Sequence, residues 1–318
     1  MTASAATRHA YRDRLIALMA EDPRVVCLDT DTGLFAGTDL AASTRYLDLG
    51  IAEHTAMAAA AGLAAAGWIP FVNTMAAFAS ARAVEAVKIN ISHNGLPVRI
   101  IATHGGVAAA HLGATHYALE DLAVMRALPG MTVVVPADAP AAASTVTQTA
   151  TIDGPVYVRL GRKPTPLLPE HVPPPVVGQI QRLRDGDEVV LVCCGPHPVL
   201  TGLAAAAKLA AAGISTGVLN AHTLKPFDHA TLLAATARAA LVVTVEEHRQ
   251  AGGLGGVVAE TLAEWAPRRV LRIALPETLA PGAGSQEHIL ERHGLRPADI
   301  AGRTRAALES EPLAWRQS

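Results

Sequence analysis

Short aliphatic and β-branched runs alternate with longer alanine-rich stretches along this chain. That alternation predicts an α/β protein with mostly parallel sheets and helices on both faces. In the first half, residues 25–28, 69–72, 98–103, 132–135 and 156–160 read as buried strands. The stretches 51–66, 75–92, 119–127 and 139–151 read as helices, with Asp121 and Asp138 near two of their starts, where a carboxylate suits the helix dipole. The pattern then breaks at 163–178, which holds six prolines and no periodicity and reads as an extended linker. A second series follows: strand 188–193, helix 199–212, strands 215–219 and 240–245, helix 254–265. Two doubly wound α/β domains are therefore expected, at 1–168 and 186–318, joined by a Pro-rich linker at 169–185. No residue-level repeat relates the halves.

Residues 55–81 carry no charge, a stretch longer than the roughly 20 residues of a membrane span. Most are alanine, and Gly62, Gly67, Pro70 and Asn73 interrupt them, so a buried helix followed by a buried strand is the expectation. Hydrophobic residues make up 50% and charged residues 17% of the 318, which excludes a largely disordered chain. The net charge of −2 and the absence of a basic cluster longer than 182–184 argue against nucleic acid and membrane as partners. Cys27, Cys193 and Cys194 form neither a disulfide framework nor a zinc spacing, and residues 1–14 lack a signal-peptide pattern; a cytoplasmic location is expected.

Glu53 is the first candidate for chemistry. It lies in the run from Tyr46 to His54, where a strand ends at Gly50 and a helix begins near residue 52. Acids at helix starts commonly serve the dipole. Here the following helix, 56–66, is apolar all round and is expected to be buried, so the carboxyl at its mouth is partly desolvated. Such a group suits holding a proton against a ring nitrogen. His104 follows a predicted strand at a Gly-Gly turn, where open α/β sheets place ligands. Imidazoles there can bond hydroxyl groups of a ligand or stabilise a developing alkoxide.

An ordered series of segments resembles the transketolase family, and in particular the C-terminal subunit of a split transketolase. The segments are Ile51-Ala-Glu-His54; Asn73-Thr-Met-Ala-Ala-Phe-Ala-Ser-Ala-Arg-Ala83; Ala102-Thr-His-Gly-Gly106; the run from Gly113-Ala-Thr-His-Tyr117 to Met131; Val133 to Asp138; and Gly154 to Arg162. In the second half, Asn220 to Pro226, Thr244-Val-Glu-Glu-His248 and Gly252-Gly-Leu-Gly-Gly256 continue it. The resemblance covers roughly residues 10–310. It implies a pyrimidine-binding thiamine-diphosphate fold followed by a transketolase C-terminal-like domain. It also implies transfer of a two-carbon ketol unit from a ketose to an aldehyde.

Position by position, Glu53 matches the glutamate that bonds the cofactor's aminopyrimidine and tunes a base the cofactor itself supplies. Phe78 matches the aromatic that packs on that ring, with Met75 and Ile51 completing the cofactor contacts. His104 and His116 match catalytic and substrate-binding histidines, and Arg162 matches the arginine that grips a substrate phosphate. The 252–256 loop does not have dinucleotide spacing, nor a suitable acid after it, and reads as a turn into a helix. His222 and His248 read as packing or subunit contacts.

Three departures from the family matter. No Gly-Asp-Gly segment with a later asparagine occurs, so thiamine diphosphate and its Mg2+ or Ca2+ must be held mainly by a separate N-terminal, diphosphate-binding subunit; no metal site is expected here. A homodimer core within an α2β2 heterotetramer follows by analogy. The loop from Leu28 to Phe35 is shortened relative to one that holds substrate phosphate. Ala110-His111-Leu112 replaces a Gly-Glu-Asp whose aspartate contacts a sugar hydroxyl, and an unmade buried hydrogen bond costs about 1–3 kcal/mol. A less hydroxylated or unphosphorylated substrate is expected, with His111 facing it. Met75 stands where an aromatic is usual, softening the pocket. The alternatives are a β chain of a 2-oxo acid decarboxylating dehydrogenase component, and a non-catalytic paralogue. The two histidine segments favour ketol transfer over the first, and Glu53 with Phe78 argues against the second.

Overall fold

In a computed structural model, which describes residues 3–278 and 284–310, the aliphatic runs assemble into two large sheets. The first has seven strands in the order Thr223–Lys225, Thr132–Val134, Val156–Arg159, Arg99–Thr103, Ile69–Met75, Val25–Asp29 and Tyr46–Asp48. All its neighbours are parallel except the first pair. The second has five, in the order Val270–Leu275, Leu241–Arg249, Val189–Cys194, Thr216–Asn220 and Gln181–Arg184, with only the last pair antiparallel. Strands such as Val25–Asp29, Arg99–Thr103 and Val189–Cys194 are buried at every residue, because helices cover both faces of a parallel sheet. The expected α/β class and both series of elements are present.

The structure departs from the sequence-based expectation at five places. Gln181–Arg184, inside the stretch assigned as linker, is an edge strand of the second sheet; it is half-solvated, so its polar composition masks it. Thr223–Lys225 leaves the second half of the chain to extend the first sheet, and Lys225 Nζ donates to the carbonyl of Arg126 at 2.9 Å and to that of Leu128. The helix Thr7–Glu21 has no place in the predicted pattern, although Thr7, Tyr11, Leu15, Leu18 and Met19 form a buried stripe at helical spacing. The single helix expected at 75–92 is broken into Ala76–Ala81, Val84–Ala86 and a π-helical turn Val87–Ser92, while Met75 ends a strand. Ser80 Oγ bonds the Ala76 carbonyl at 2.8 Å, a local bond that competes with the regular helix ladder.

The fifth concerns the helix Glu53–Ala65. It buries one face, through Ala56, Met57, Ala60, Ala61 and Ala64, rather than its whole circumference. Thr55, Ala59, Gly62 and Ala65 are exposed, which costs little because these side chains are small. Among the described residues no helix is long and apolar enough to cross a membrane, and the uncharged stretch is a helix followed by a strand as expected. The outer ends of the two assigned domains, residues 1–2 and 311–318, lie outside the described residues.

Glu53, Phe78, His104 and Arg162 each follow the carboxyl end of a parallel strand of the first sheet, on the edge where such sheets bind ligands.

Candidate active site

Tyr46–Asp48 ends in a turn through Gly50, whose φ of +66° suits glycine, and the next helix opens with Glu53 itself. The Glu53 residue is 1% exposed, yet its carboxylate meets the protein surface through one partner. Arg82 Nη1 donates to Oε2 at 3.0 Å and to Oε1 at 3.3 Å, and the Arg82 side chain is 51% exposed. Arg82 caps the short helix that carries Phe78, one turn earlier, and its guanidinium carbon lies 4.7 Å from the Phe78 ring centroid. Arg82 falls within one of the family-like segments, but the sequence reading gave it no role; the four-residue spacing from Phe78 was the available signal.

The Phe78 ring stands edge-on to His116, with centroids 5.2 Å apart. Phe78, Arg82, Thr115, Tyr117 and Val124 line an open depression, and Arg82 links it to Glu53. Ile51 is 71% exposed two residues before the glutamate, an apolar side chain with little of its own chain to cover it. Met75 is half-buried at the strand end. The structure thus gathers Glu53, Phe78 and His116 around one surface.

His104 lies at the exit of Arg99–Thr103, buried, with φ of +62°, a region uncommon for residues other than glycine. Its Nδ1 shares a hydrogen with Thr103 Oγ1 at 2.9 Å. Burial, followed by the nearby charges of Arg8 and Arg162 and then of His111 and His116, depresses its pKa to about 3. The ring is therefore neutral near pH 7. A two-dimensional NMR titration should show His104 in its neutral form down to pH ~5; a midpoint near the ordinary 6.5 would contradict this environment.

His116 pairs Nδ1 with Thr115 Oγ1 at 2.9 Å. His111 is exposed on the turn Ala110–Leu112, its pKa lowered by slight desolvation and then by Arg162, Lys163 and His116. Leu112 beside it is also exposed.

Arg162 is joined by a second guanidinium that the sequence reading missed. Thr7 Oγ1 accepts from Gly161 N at 2.9 Å and lies 3.4 Å from the Gly161 carbonyl, docking the first turn of Thr7–Glu21 against the Arg162 loop. Burial, then the nearby charges of Arg162 and Arg12, lower the Arg8 pKa. Arg8 Nε is buried without a partner, and among the described residues neither arginine has an ion-pair partner. Basic residues in the first turn of a helix oppose its dipole, and Arg8 with His9, unaccompanied by an acid, was the sequence signal.

Elsewhere, the 252–256 loop is indeed a turn into the helix Leu254–Trp265. The Glu246 carboxylate accepts from Leu254 N and Gly255 N at 2.7 Å each, and a Cβ on Gly253 would stand 2.1 Å from it. A side chain of the protein occupies the place a nucleotide phosphate would take. His222 and His248 are fully buried packing residues. Among the described residues no group of three or more His, Cys, Asp and Glu is placed to hold a metal.

Residues 3–166 match the pyrimidine-binding domain of transketolase, and residues 178–300 match the transketolase C-terminal domain. The chain is 36% identical, over 92% of its length and 91% of the relative's, to a 6-deoxy-6-sulfo-D-fructose transketolase subunit of a Clostridium species. It is 35% identical, over 96% of its length and 97% of the relative's, to one of the subunits of the apulose-4-phosphate transketolase of Phocaeicola vulgatus. Its fold superposes on a split-gene transketolase, solved as an inactive β4 tetramer, with a TM-score of 0.87 and 38% identity over 95% of this chain and 98% of that one.

Proposed function

The chain belongs to the transketolase family, and on that premise we propose that it is one subunit of a two-component enzyme that moves a two-carbon ketol unit from a ketose to an aldehyde. The observation that carries this reading is Glu53, a buried carboxylate whose partner Arg82 lines, with Phe78, a depression beside His116. Thiamine diphosphate, the family's cofactor, supplies when bound the carbon nucleophile that breaks and remakes the C–C bond.

The residues fit its aminopyrimidine. Glu53 would hold a proton against a ring nitrogen, and Phe78, Met75 and Ile51 supply apolar surface for the ring. Glu53 has Arg82 as its side-chain partner, and exchange of that half-exposed cation for a ring N–H keeps the carboxylate bonded throughout. His104 and His116 would orient the ketose, and the neutral His104 ring can both donate and accept.

The diphosphate and a Mg2+ or Ca2+ ion are assigned to a separate N-terminal subunit, in an α2β2 assembly built on a dimer of this chain. Support comes from the split-gene relative, which this chain matches over almost its whole length and which is inactive as a β4 tetramer. The buried, unpaired thiols of Cys27, Cys193 and Cys194 suit the cytoplasm.

For the substrate, Arg8 and Arg162 together favour an anionic tail, so the expected less hydroxylated or unphosphorylated donor would carry a negative group, phosphate or another. The two relatives are named for a sulfo-sugar and a sugar phosphate, in line with such a tail. Leu112 in place of an aspartate still removes a partner for one hydroxyl.

The test is reconstitution with a second chain that carries the missing diphosphate segment. The mixture should bind thiamine diphosphate with a divalent ion and turn over an anionic ketose; this chain by itself should do neither. Turnover by this chain without a second protein would overturn the division of labour. Ordinary efficiency with xylulose 5-phosphate and ribose 5-phosphate would remove the case for a non-standard substrate.

A further inference from the structure

We propose that Glu247, on the second sheet, is a positioning residue for His104: its carboxylate clamps the segment 105–107, so the C-terminal domain sets the substrate-side geometry of the first domain. The proposal rests on the reading that His104 meets the ketose.

His104 is held in a left-handed conformation, which persists in a non-glycine residue only where the surroundings over-determine it. The three residues that follow are pinned one after another. Gly105 N donates to the Leu160 carbonyl at 3.0 Å, Gly106 exchanges two hydrogen bonds with Ala118, and Val107 N donates to Glu247 Oε1 at 2.7 Å. The first two pins come from the same domain. The third comes from the strand Leu241–Arg249, across the domain boundary.

Glu247 is itself fixed. Gln286 Nε2 donates to Oε1 at 2.9 Å and to Oε2 at 3.0 Å, and the carboxylate is buried. The Glu247 carbonyl accepts from Arg159 Nη2 at 2.8 Å, and the same nitrogen donates to the Ala118 carbonyl at 2.8 Å. Arg159 in turn pairs with Asp121 at 3.2 Å, and Tyr157 donates to Asp121 Oδ2 at 2.7 Å. Both glycines after His104 are explained by this arrangement. A Cβ on Gly105 would stand 2.4 Å from Arg159 Nε, and one on Gly106, where φ is +64°, would stand 2.4 Å from Glu247 Oε1. The Gly-Gly pair after His104 is thus the imprint of two buried charged side chains. Through Ala118, the clamp also reaches the loop that carries His116.

Glu247 touches no proposed cofactor contact, and this separates positioning from general support of the fold. In the enzyme reconstituted with its partner subunit, Glu247→Ala should lower kcat/KM for the donor ketose by about 10- to 100-fold, the range for losing a hydrogen bond to a charged group. The dissociation constant for thiamine diphosphate should stay within about twofold, since Glu53 and Phe78 stand on other elements. In this chain alone, hydrogen exchange at the Val107 amide should accelerate strongly. Glu247→Gln should recover donor kcat/KM to within about threefold of the parent, because its amide oxygen still accepts from Val107 and Gln286 can rotate to match.

Should Glu247→Ala not fold, Gly106→Ala displaces the clamp from the other side and should give the same split between donor and cofactor. Parallel loss of donor turnover and cofactor binding would overturn the proposal, as would an unchanged donor kcat/KM with Val107 deprotected. His104→Ala separates this from the site reading. If His104→Ala is impaired and Glu247→Ala is not, only the clamp is wrong. If His104→Ala is silent, the substrate role of His104 fails and the clamp fails with it.

Discussion

Replacing Glu53 by glutamine is expected to lower kcat of the reconstituted enzyme by about 10²- to 10⁴-fold, the range for losing a positioned proton-transfer group. Glutamine keeps the shape and the hydrogen-bonding capacity of the side chain but cannot exchange a proton with a ring nitrogen at neutral pH. The site should therefore still take up thiamine diphosphate, because the apolar surface of Phe78 and Ile51 is unchanged. Steady-state turnover together with a cofactor titration checks both halves. Full activity in Glu53→Gln would leave the chain as a scaffold subunit and return the non-catalytic reading. The partner cation supplies a control. Arg82 bonds Glu53 only through an exposed guanidinium, so Arg82→Met should leave far more turnover than Glu53→Gln.

The second large effect is expected at the paired arginines. Arg8→Ala and Arg162→Ala should each raise KM for an anionic donor by about 10- to 100-fold with kcat little changed, the pattern of lost uniform binding by charge-assisted hydrogen bonds. A neutral analogue of the same ketose should feel neither substitution. Lysine at either position should restore charge but not a planar, two-pronged contact, and so should recover affinity only in part. Equal losses for charged and neutral donors would show that the arginines support the loop rather than the ligand. The pair is held together by the Thr7–Gly161 contacts, so Thr7→Val should weaken anion binding at a distance, by releasing the first turn that carries Arg8.

How much of this was legible beforehand depended on how far apart the interacting residues lie. Glu53 and His104 were visible because each sits just past a strand in a short local pattern, Phe78 and Arg162 because their segments resemble the family's, and the parallel sheet delivers all four to one edge. Gly105 and Gly106 were visible as glycines but not as a cradle, because what fills the space above them is Arg159 and Glu247. The edge strands Gln181–Arg184 and Thr223–Lys225 were missed because they are short, and polar residues interrupt the continuous apolar run that marks a central strand.

The amino-acid sequence by itself determined the strand and helix series, the family resemblance and the placing of an acid, Glu53, at a helix start. These are set by hydrophobic period and by neighbours within one helical turn or one strand. Only the tertiary structure decided that Arg82 guards Glu53 from 29 positions away, that the first helix brings Arg8 to Arg162 through a contact spanning 154, and that Glu247 reaches the His104 loop across 140. Side chains that far apart meet only after two sheets have folded and packed. Their partnership is a property of three-dimensional geometry, which no local pattern encodes.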